Sequence, residues 1–402
     1  MRILFDARVI QDHFPGIGRY AYNLLEALPA QLGPDDHLKA WRDTRVINTR
    51  FDWWPLTERG IQLEALSTPL LSARNLVQRP HDACDVFHFC YYMRPLWTSR
   101  PSVTTVFDVI TLVYPQVIQN ARTRVAIRLA NDLAIRTSTR IIALSHSAET
   151  DLLRYFPASR HKIVVIPAAP DHIFMPQSHQ RVAATRAKYS LPDSFTLCLA
   201  SNKPHKNIVR LVEAWKRVVQ DWGLEVHGPH VQSSTSTKER VDQSTALDAT
   251  SQAGIRTPYL VIAGHQDPRY PEARRRAAEL GLGTAVRFLG DVPNVDLPAL
   301  YTACEAFIFP SLYEGFGLPP LEAMACGAPV ICSNTSSLPE VVGNAAIKVD
   351  PLDVNALARA LLGVLVNPSL QADLRERSLA RAKRFTWDDV ARQTLDVYKA
   401  LR

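Results

Sequence analysis

Glu314 and Glu322 bracket the run E-G-F-G-L-P-P-L-E, which follows the apolar segment A-F-I-F-P. Carboxylates are acceptor-only groups suited to sugar hydroxyls. Gly315 and Gly317, on either side of Phe316, let a backbone approach a ligand closely. Pro319 and Pro320 fit the first turn of a helix, where a missing N–H costs nothing. The free N–H groups of such a turn, near Leu318, point outward and favour phosphate. A molecule with hydroxyls at both ends and phosphates between them matches this order of groups. Two solvated glutamates around an ordinary turn match it as well when residue types alone are considered.

Four further stretches carry chemistry. In L-A-S-N-K-P-H-K-N-I-V-R, Lys206 stands just before a helix start, where its ammonium and the helix dipole act together on an anion. P-G-I-G-R-Y places Gly16, Gly18 and Arg19 at the first strand-to-helix turn; a lone G-x-G is also compatible with a plain tight turn. D-V-F-H-F carries His88 at the end of an apolar run, where a structural role also fits, and T-T-V-F-D-V-I contains Asp108. Residues 120–140 read as a helix holding Arg122, Arg124, Arg128, Arg136 and Arg140 against the single acid Asp132. That face suits an anionic membrane, a charged acceptor or plain solvent.

The run E-G-F-G-L-P-P-L-E, with F-P-S before it and A-M-A-C-G-A-P-V-I and P-E-V-V-G-N-A-A after it, resembles the E-x7-E signature of the retaining GT-B glycosyltransferases of family four. P-H-K-N is similar to that family's donor-loop lysine, and G-x-G-R-Y to its N-terminal glycine loop. The resemblance covers nearly the whole chain outside residues 223–257. It implies a nucleotide-sugar donor, with Glu314 on sugar hydroxyls, Gly315 to Leu318 on sugar and phosphates, Glu322 on the ribose and Lys206 on the diphosphate. It further implies Gly16 and Gly18 facing the phosphates across a cleft, Arg19 as an acceptor or phosphate contact and His88 on the acceptor side, retention at the anomeric carbon by front-face attack, and no metal or other cofactor. Asp108, with Lys206 and Glu314, is the catalytic set. Two departures stand out. Phe107 replaces a histidine that often sits near the reacting sugar, and Ser201 replaces an arginine five residues before Lys206. Lys203 or His205 is available to supply the charge missing at 201, and His88 to compensate in part for Phe107.

The implied product is a hexosyl transfer, mannose first, from a nucleotide sugar to a saccharide or lipid-linked saccharide in cell-surface glycan synthesis. GDP-mannose ranks before a UDP-sugar. The alternatives are a non-catalytic sugar-nucleotide-binding partner of an assembly complex, and an epimerase or phosphorylase of the same fold.

Short apolar runs at 2–6, 61–66, 85–89, 102–107, 140–144 and 162–166 alternate with helical stretches, as in βαβ units. P-A-A-P-D-H-I-F-M-P (167–176) reads as a linker, and a second strand–helix series follows it. The fold class expected is α/β, two Rossmann-like domains facing a cleft: 1–170 for the acceptor and 171–386 for the donor. Residues 223–257, rich in Ser, Thr, Gln and Asp, read as a flexible surface insertion. Thr386 and Asp389 have capping-box spacing, so a last helix begins near 387, with Trp387 as its docking side chain, and packs back on the first domain.

Composition narrows the classes. The 402 residues are 47% hydrophobic, which excludes a mainly disordered chain. The six cysteines form no C-x-x-C pair, against structural zinc or a disulfide framework. The net charge is +7, with 20 basic and 15 acidic residues in 1–170, a mild excess suited to anionic small molecules or a membrane face rather than nucleic acid. No signal-peptide core or spanning apolar segment is apparent, so the expectation is a cytoplasmic protein with reduced thiols, peripheral to a membrane at most.

Overall fold

The computed structural model describes residues 1–80, 83–115, 118, 120–222 and 257–401. The insertion expected at 223–257 lies outside the described residues, Thr257 excepted. The described chain forms two parallel sheets. The first has seven strands in the order β3-β2-β1-β4-β5-β6-β7 and the second six in the order β10-β9-β8-β11-β12-β13. The strands of the first are β1 (Arg2–Asp6), β2 (His37–Arg42), β3 (Gln62–Ala65), β4 (Val86–Phe89), β5 (Ser102–Val106), β6 (Arg140–Ala143) and β7 (Ile163–Val165). Those of the second are β8 (Thr196–Leu199), β9 (Leu260–Ala263), β10 (Val286–Gly290), β11 (Ala306–Phe309), β12 (Val330–Ser333) and β13 (Ala346–Val349). The central strands are buried on both faces, as V-F-H-F, A-F-I-F and V-I-C-S are from end to end. Continuous apolar runs of this kind are what a helix-covered parallel sheet requires.

Strand order reverses between β1 and β4 in one sheet and between β8 and β11 in the other. At such a reversal the connecting helices leave to opposite faces, which opens a crevice at the carboxyl ends of the strands. Lys206 follows β8 and Glu314 follows β11, so the second crevice lies between the two residues singled out from the sequence.

The helix Trp387–Lys399 starts as its capping box requires: Thr386 Oγ1 accepts from the Asp389 amide at 3.2 Å. Its Val390, Ala391, Leu395, Val397 and Tyr398 are buried, and the helix packs on Pro15–Ala27 and on the turn Leu28–Gln31. Trp387 Nε1 donates to the Pro170 carbonyl at 3.0 Å, and its ring meets Tyr20 edge-on at 5.5 Å.

Some sequence expectations change. The basic helix runs only over Ala121–Thr137, and Arg140 opens β6 instead of lying on that helix. Ser138 ends it in extended geometry, its hydroxyl bonded back to the Ala134 carbonyl at 2.6 Å. Strands β2 and β13 carry lysine, histidine or arginine within short apolar patterns and are not evident from the sequence. All six cysteines are buried.

Candidate active site

The loop 313–317 is built by its neighbours. The Glu314 amide donates to Ser336 Oγ at 3.0 Å, and Ser337 Oγ donates to the carbonyls of Glu314 (2.9 Å) and Phe316 (2.5 Å). Gly317 holds φ at +118°, a conformation open to glycine, and caps the helix Leu318–Ala325. Pro319 and Pro320 occupy that helix's first turn, so the amide of Leu318 remains at an end that no N-cap side chain fills.

Lys206 leaves the short turn Pro204–Lys206, and Asn207 then adopts a left-handed conformation (φ 60°) before the helix Ile208–Asp221. Asn207 Nδ2 fixes this corner through the carbonyls of Pro310 (3.1 Å) and Pro351 (2.7 Å). The result aims Lys206 Nζ at Glu314 Oε1, 2.6 Å away, with Phe309 beneath the ammonium at 5.5 Å.

Asp108 comes to the same place from the other sheet. A methyl group on Gly315 would stand 1.9 Å from the Phe107 carbonyl oxygen and 2.7 Å from Asp108 Cβ, so the two loops touch backbone to backbone. Burial raises the Asp108 pKa above the usual carboxylate range and Glu314 adds to this; the Ile110 amide, Lys206 and Lys203 pull it back. Asp108, Lys206 and Glu314, read separately from the sequence, thus share one electrostatic neighbourhood. The Phe107 ring packs edge-on to Tyr20 at 5.0 Å.

Four more bonds cross the same junction. Ser145 Oγ donates to the Gly315 carbonyl at 2.6 Å while accepting from the Ala148 amide. Tyr313 OH donates to Asp151 at 2.9 Å. Glu340 accepts from the amides of His146 (3.0 Å) and Ser147 (2.9 Å), a carboxylate at the N-terminus of the helix His146–Tyr155. Sequence reading missed Ser145, Ser336, Ser337 and Glu340. Of these only Glu340 carried a signal, inside the quoted P-E-V-V-G.

The remaining sequence candidates are placed as follows. Gly18 is pressed against the loop after β1, where an added methyl would lie 2.9 Å from the Val9 carbonyl oxygen; Gly16 borders open space at the exposed start of its helix. Arg19 is ion-paired with Glu322 across the two sheets, donates to Asn294 Oδ1 at 2.6 Å and lies over Phe174 at 5.2 Å. Glu322 is 2% exposed; burial raises its pKa, and Arg19 opposes that shift. Arg19 therefore meets a carboxylate rather than standing free for phosphate or acceptor.

Two expectations fail. His88 is fully buried, bonded through Nδ1 to Tyr398 OH and through Nε2 to Thr105 Oγ1 at 2.8 Å. Burial pushes its pKa down to about 3, so it is a neutral tie for the last helix and not an acceptor contact. His205 is buried as well, and burial with Lys206 and Lys203 nearby pushes its pKa down to about 3; it supplies no charge in place of the residue at 201. Lys203 is exposed at the rim.

Two facing parallel α/β sheets, with loops from both meeting at the carboxyl ends of their strands, define the GT-B architecture. Residues 236–381 match the family model described as Glycosyl transferases group 1. The chain is 28% identical to the O-antigen chain mannosyltransferase B of Escherichia coli, over 100% of both proteins. It is 32% identical to the serotype-specific mannosyltransferase WbdA of Escherichia coli over 65% of this chain, which spans 29% of that longer protein. The sucrose-phosphate synthase of Thermosynechococcus elongatus superposes with a TM-score of 0.71 at 21% identity, covering 100% of this chain and 99% of the other. The protein is a glycosyltransferase of the GT-B fold.

Proposed function

We propose that the protein transfers a mannosyl group from a nucleotide-sugar donor, GDP-mannose before a UDP-sugar, to a saccharide or lipid-linked saccharide during assembly of a cell-surface polysaccharide. The observation that carries the reading is the junction at Gly315, where Asp108 of one sheet meets the Lys206–Glu314 pair of the other. The full-length similarity to an O-antigen mannosyltransferase supports the choice of sugar, and the relatives favour transfer over a non-catalytic, epimerase or phosphorylase role.

In this reading Lys206 exchanges its contact with Glu314 for the donor diphosphate, helped by the uncapped amides at Leu318 and, across the cleft, by the helix start at Gly16, which buried Gly18 holds close to the loop after β1. Glu314 is then free to accept from sugar hydroxyls, with Gly315, Phe316 and Gly317 shaping the floor beneath them. Glu322 receives the ribose when the Arg19 guanidinium gives way. The anomeric carbon loses its bond to the β-phosphate oxygen while the acceptor oxygen bonds on the same face, and the acceptor proton passes to the departing diphosphate. Anomeric configuration is retained, Asp108 borders the reacting sugar, and positive side chains and amides take the role a metal has elsewhere. No cofactor is required, and activity persists in EDTA.

The acceptor side has a surface suited to lipid. On Ala121–Thr137, Val125 and Leu129 are 68% and 56% exposed among Arg122, Arg124 and Arg128. No helix among the described residues is long and apolar enough to cross a membrane. The reading is peripheral contact with the anionic cytoplasmic face, each arginine contributing about 1 kcal/mol near the surface.

Thermal shift tests the donor. A nucleotide present at a hundred times its Kd stabilises the native state by about 2.7 kcal/mol. GDP is expected to raise Tm more than UDP, ADP or TDP; no response to any of them contradicts a nucleotide-sugar site.

A further inference from the structure

The crevice of the second sheet is filled by the residues above, whereas the matching crevice of the first is lined by side chains with no role so far. Strand order in the first sheet reverses between β1 and β4, and ligands of open α/β sheets bind outside the strand ends at such a reversal. The loops leaving these two strands bring together four rings. His13 meets Phe14 edge-on at 4.6 Å, Phe14 meets Tyr91 at 5.0 Å, and Tyr91 meets Tyr92 at 4.2 Å with 32° between the planes. Phe14 is buried, while Tyr91 and Tyr92 are half-buried. The rear of this group is therefore anchored and its front is open.

The two phenols are hydrogen-bonded to each other, Tyr91 OH donating to Tyr92 OH at 2.9 Å. A hydroxyl that accepts one bond keeps its own proton to donate, so the pair presents a directed polar edge beside two flat apolar faces. That combination fits a pyranose, which has an apolar C–H face and a rim of hydroxyls, better than it fits a phosphate, which asks for positive charge. Asp108 lies within electrostatic reach: burial raises both phenol pKa values, and the negative charge of Asp108 adds to each. Asp108 in turn sits on the Gly315 loop. The rings thus stand on the acceptor side of the position assigned to the transferred sugar.

We propose that Tyr91 and Tyr92 form the acceptor subsite, stacking one pyranose ring of a neutral saccharide and offering the Tyr92 hydroxyl to its rim while Asp108 borders the attacking hydroxyl. The subsite rests on the glycosyl-transfer reading. It replaces His88, which burial removes from the acceptor side, with its near neighbours in the chain.

The test uses the full chain with GDP-mannose as donor and methyl α-mannobioside as acceptor, measuring KM for each substrate by GDP release and product formation. Tyr91→Ala and Tyr92→Ala are each expected to raise the acceptor KM about tenfold, the scale of an aromatic contact of about 1.4 kcal/mol, with the donor KM changed less than twofold. Tyr92→Phe keeps the ring and loses the hydroxyl, so its acceptor KM rises about threefold; Tyr91→Phe stays closer to the parent. Acceptor KM unchanged in both alanine variants overturns the subsite, as does a donor KM that rises in step with it. Should an alanine variant fail to fold, Tyr92→Phe decides: a rise confined to the acceptor KM supports the subsite, and an unaltered acceptor KM overturns it. Parent protein that hydrolyses the donor yet never glycosylates the mannobioside also overturns a mannoside platform. Parent protein that releases no GDP at all strikes the GDP-mannose reading, and the mannoside subsite built on it falls with it.

Discussion

Replacing Gly315 with alanine probes the junction of the two sheets with the smallest available change. The added methyl would lie 1.9 Å from the Phe107 carbonyl oxygen, whereas Cβ atoms do not approach backbone closer than 3.0 Å. The loops carrying Asp108 and Glu314 must therefore separate by at least 1.1 Å. Because they belong to different sheets, the cleft can open to relieve the clash without disrupting either core. Misplacement by ~1 Å costs about 10²-fold in rate, or ~2.7 kcal/mol of transition-state stabilisation. Initial rates of transfer should fall by about that factor, while Tm drops a few degrees at most. Gly363, inside the helix Val354–Leu365, is the control: its added methyl meets nothing within 4 Å. Gly363→Ala should retain full activity and gain about 0.5–1 kcal/mol of stability. A Gly315→Ala protein working at more than half the parental rate would refute the claim that both loops shape one reaction site.

Four other outcomes follow from the same contacts. Lys206→Met and Glu314→Ala should each lower kcat by about 10²–10³-fold with folding intact, as judged by circular dichroism and steady-state rates. Glu340→Ala leaves the amides of His146 and Ser147 without their carboxylate, and calorimetry should show a loss of about 1 kcal/mol together with slower transfer. Thr386→Ala should cost about 1 kcal/mol through the last helix's cap, leaving donor KM unchanged. His88 and His205 have folded pKa values of about 3, below the unfolded value of about 6.5. The unfolded chain therefore binds more protons between these limits, and stability is complete above about pH 6.5 and declines as pH falls toward 3. The Tm-against-pH curve should flatten in His88→Gln; an unchanged acid limb removes His88 from that account.

Much of this architecture is written locally. The capping box at Thr386, the prolines of the first turn after Gly317 and the apolar strands beside the site loops follow from neighbouring residues, and each appears where its pattern places it. The site loops themselves were readable because glycines, prolines and glutamates cluster within a dozen positions. What escaped is what depends on partners far along the chain. Arg19 meets Glu322 and Ser145 meets Gly315 only after two sheets have assembled, and nothing near either residue announces the partner. Burial of His88 has the same origin: its strand is visible in the sequence, but Tyr398, which covers its ring, arrives from the last helix. Arg140, read both as the end of the basic helix and as the start of the run 140–144, belongs to the strand, because the backbone leaves the helix at Ser138 while basic residues continue past it.

The most direct test of the central claim is the anomeric configuration of the product formed by the purified protein from GDP-mannose and a mannoside acceptor in EDTA, read by nuclear magnetic resonance. The account predicts metal-independent release of GDP and a new glycosidic bond with the configuration of the donor. A product of opposite configuration, or turnover abolished by EDTA and restored by a divalent cation, contradicts it.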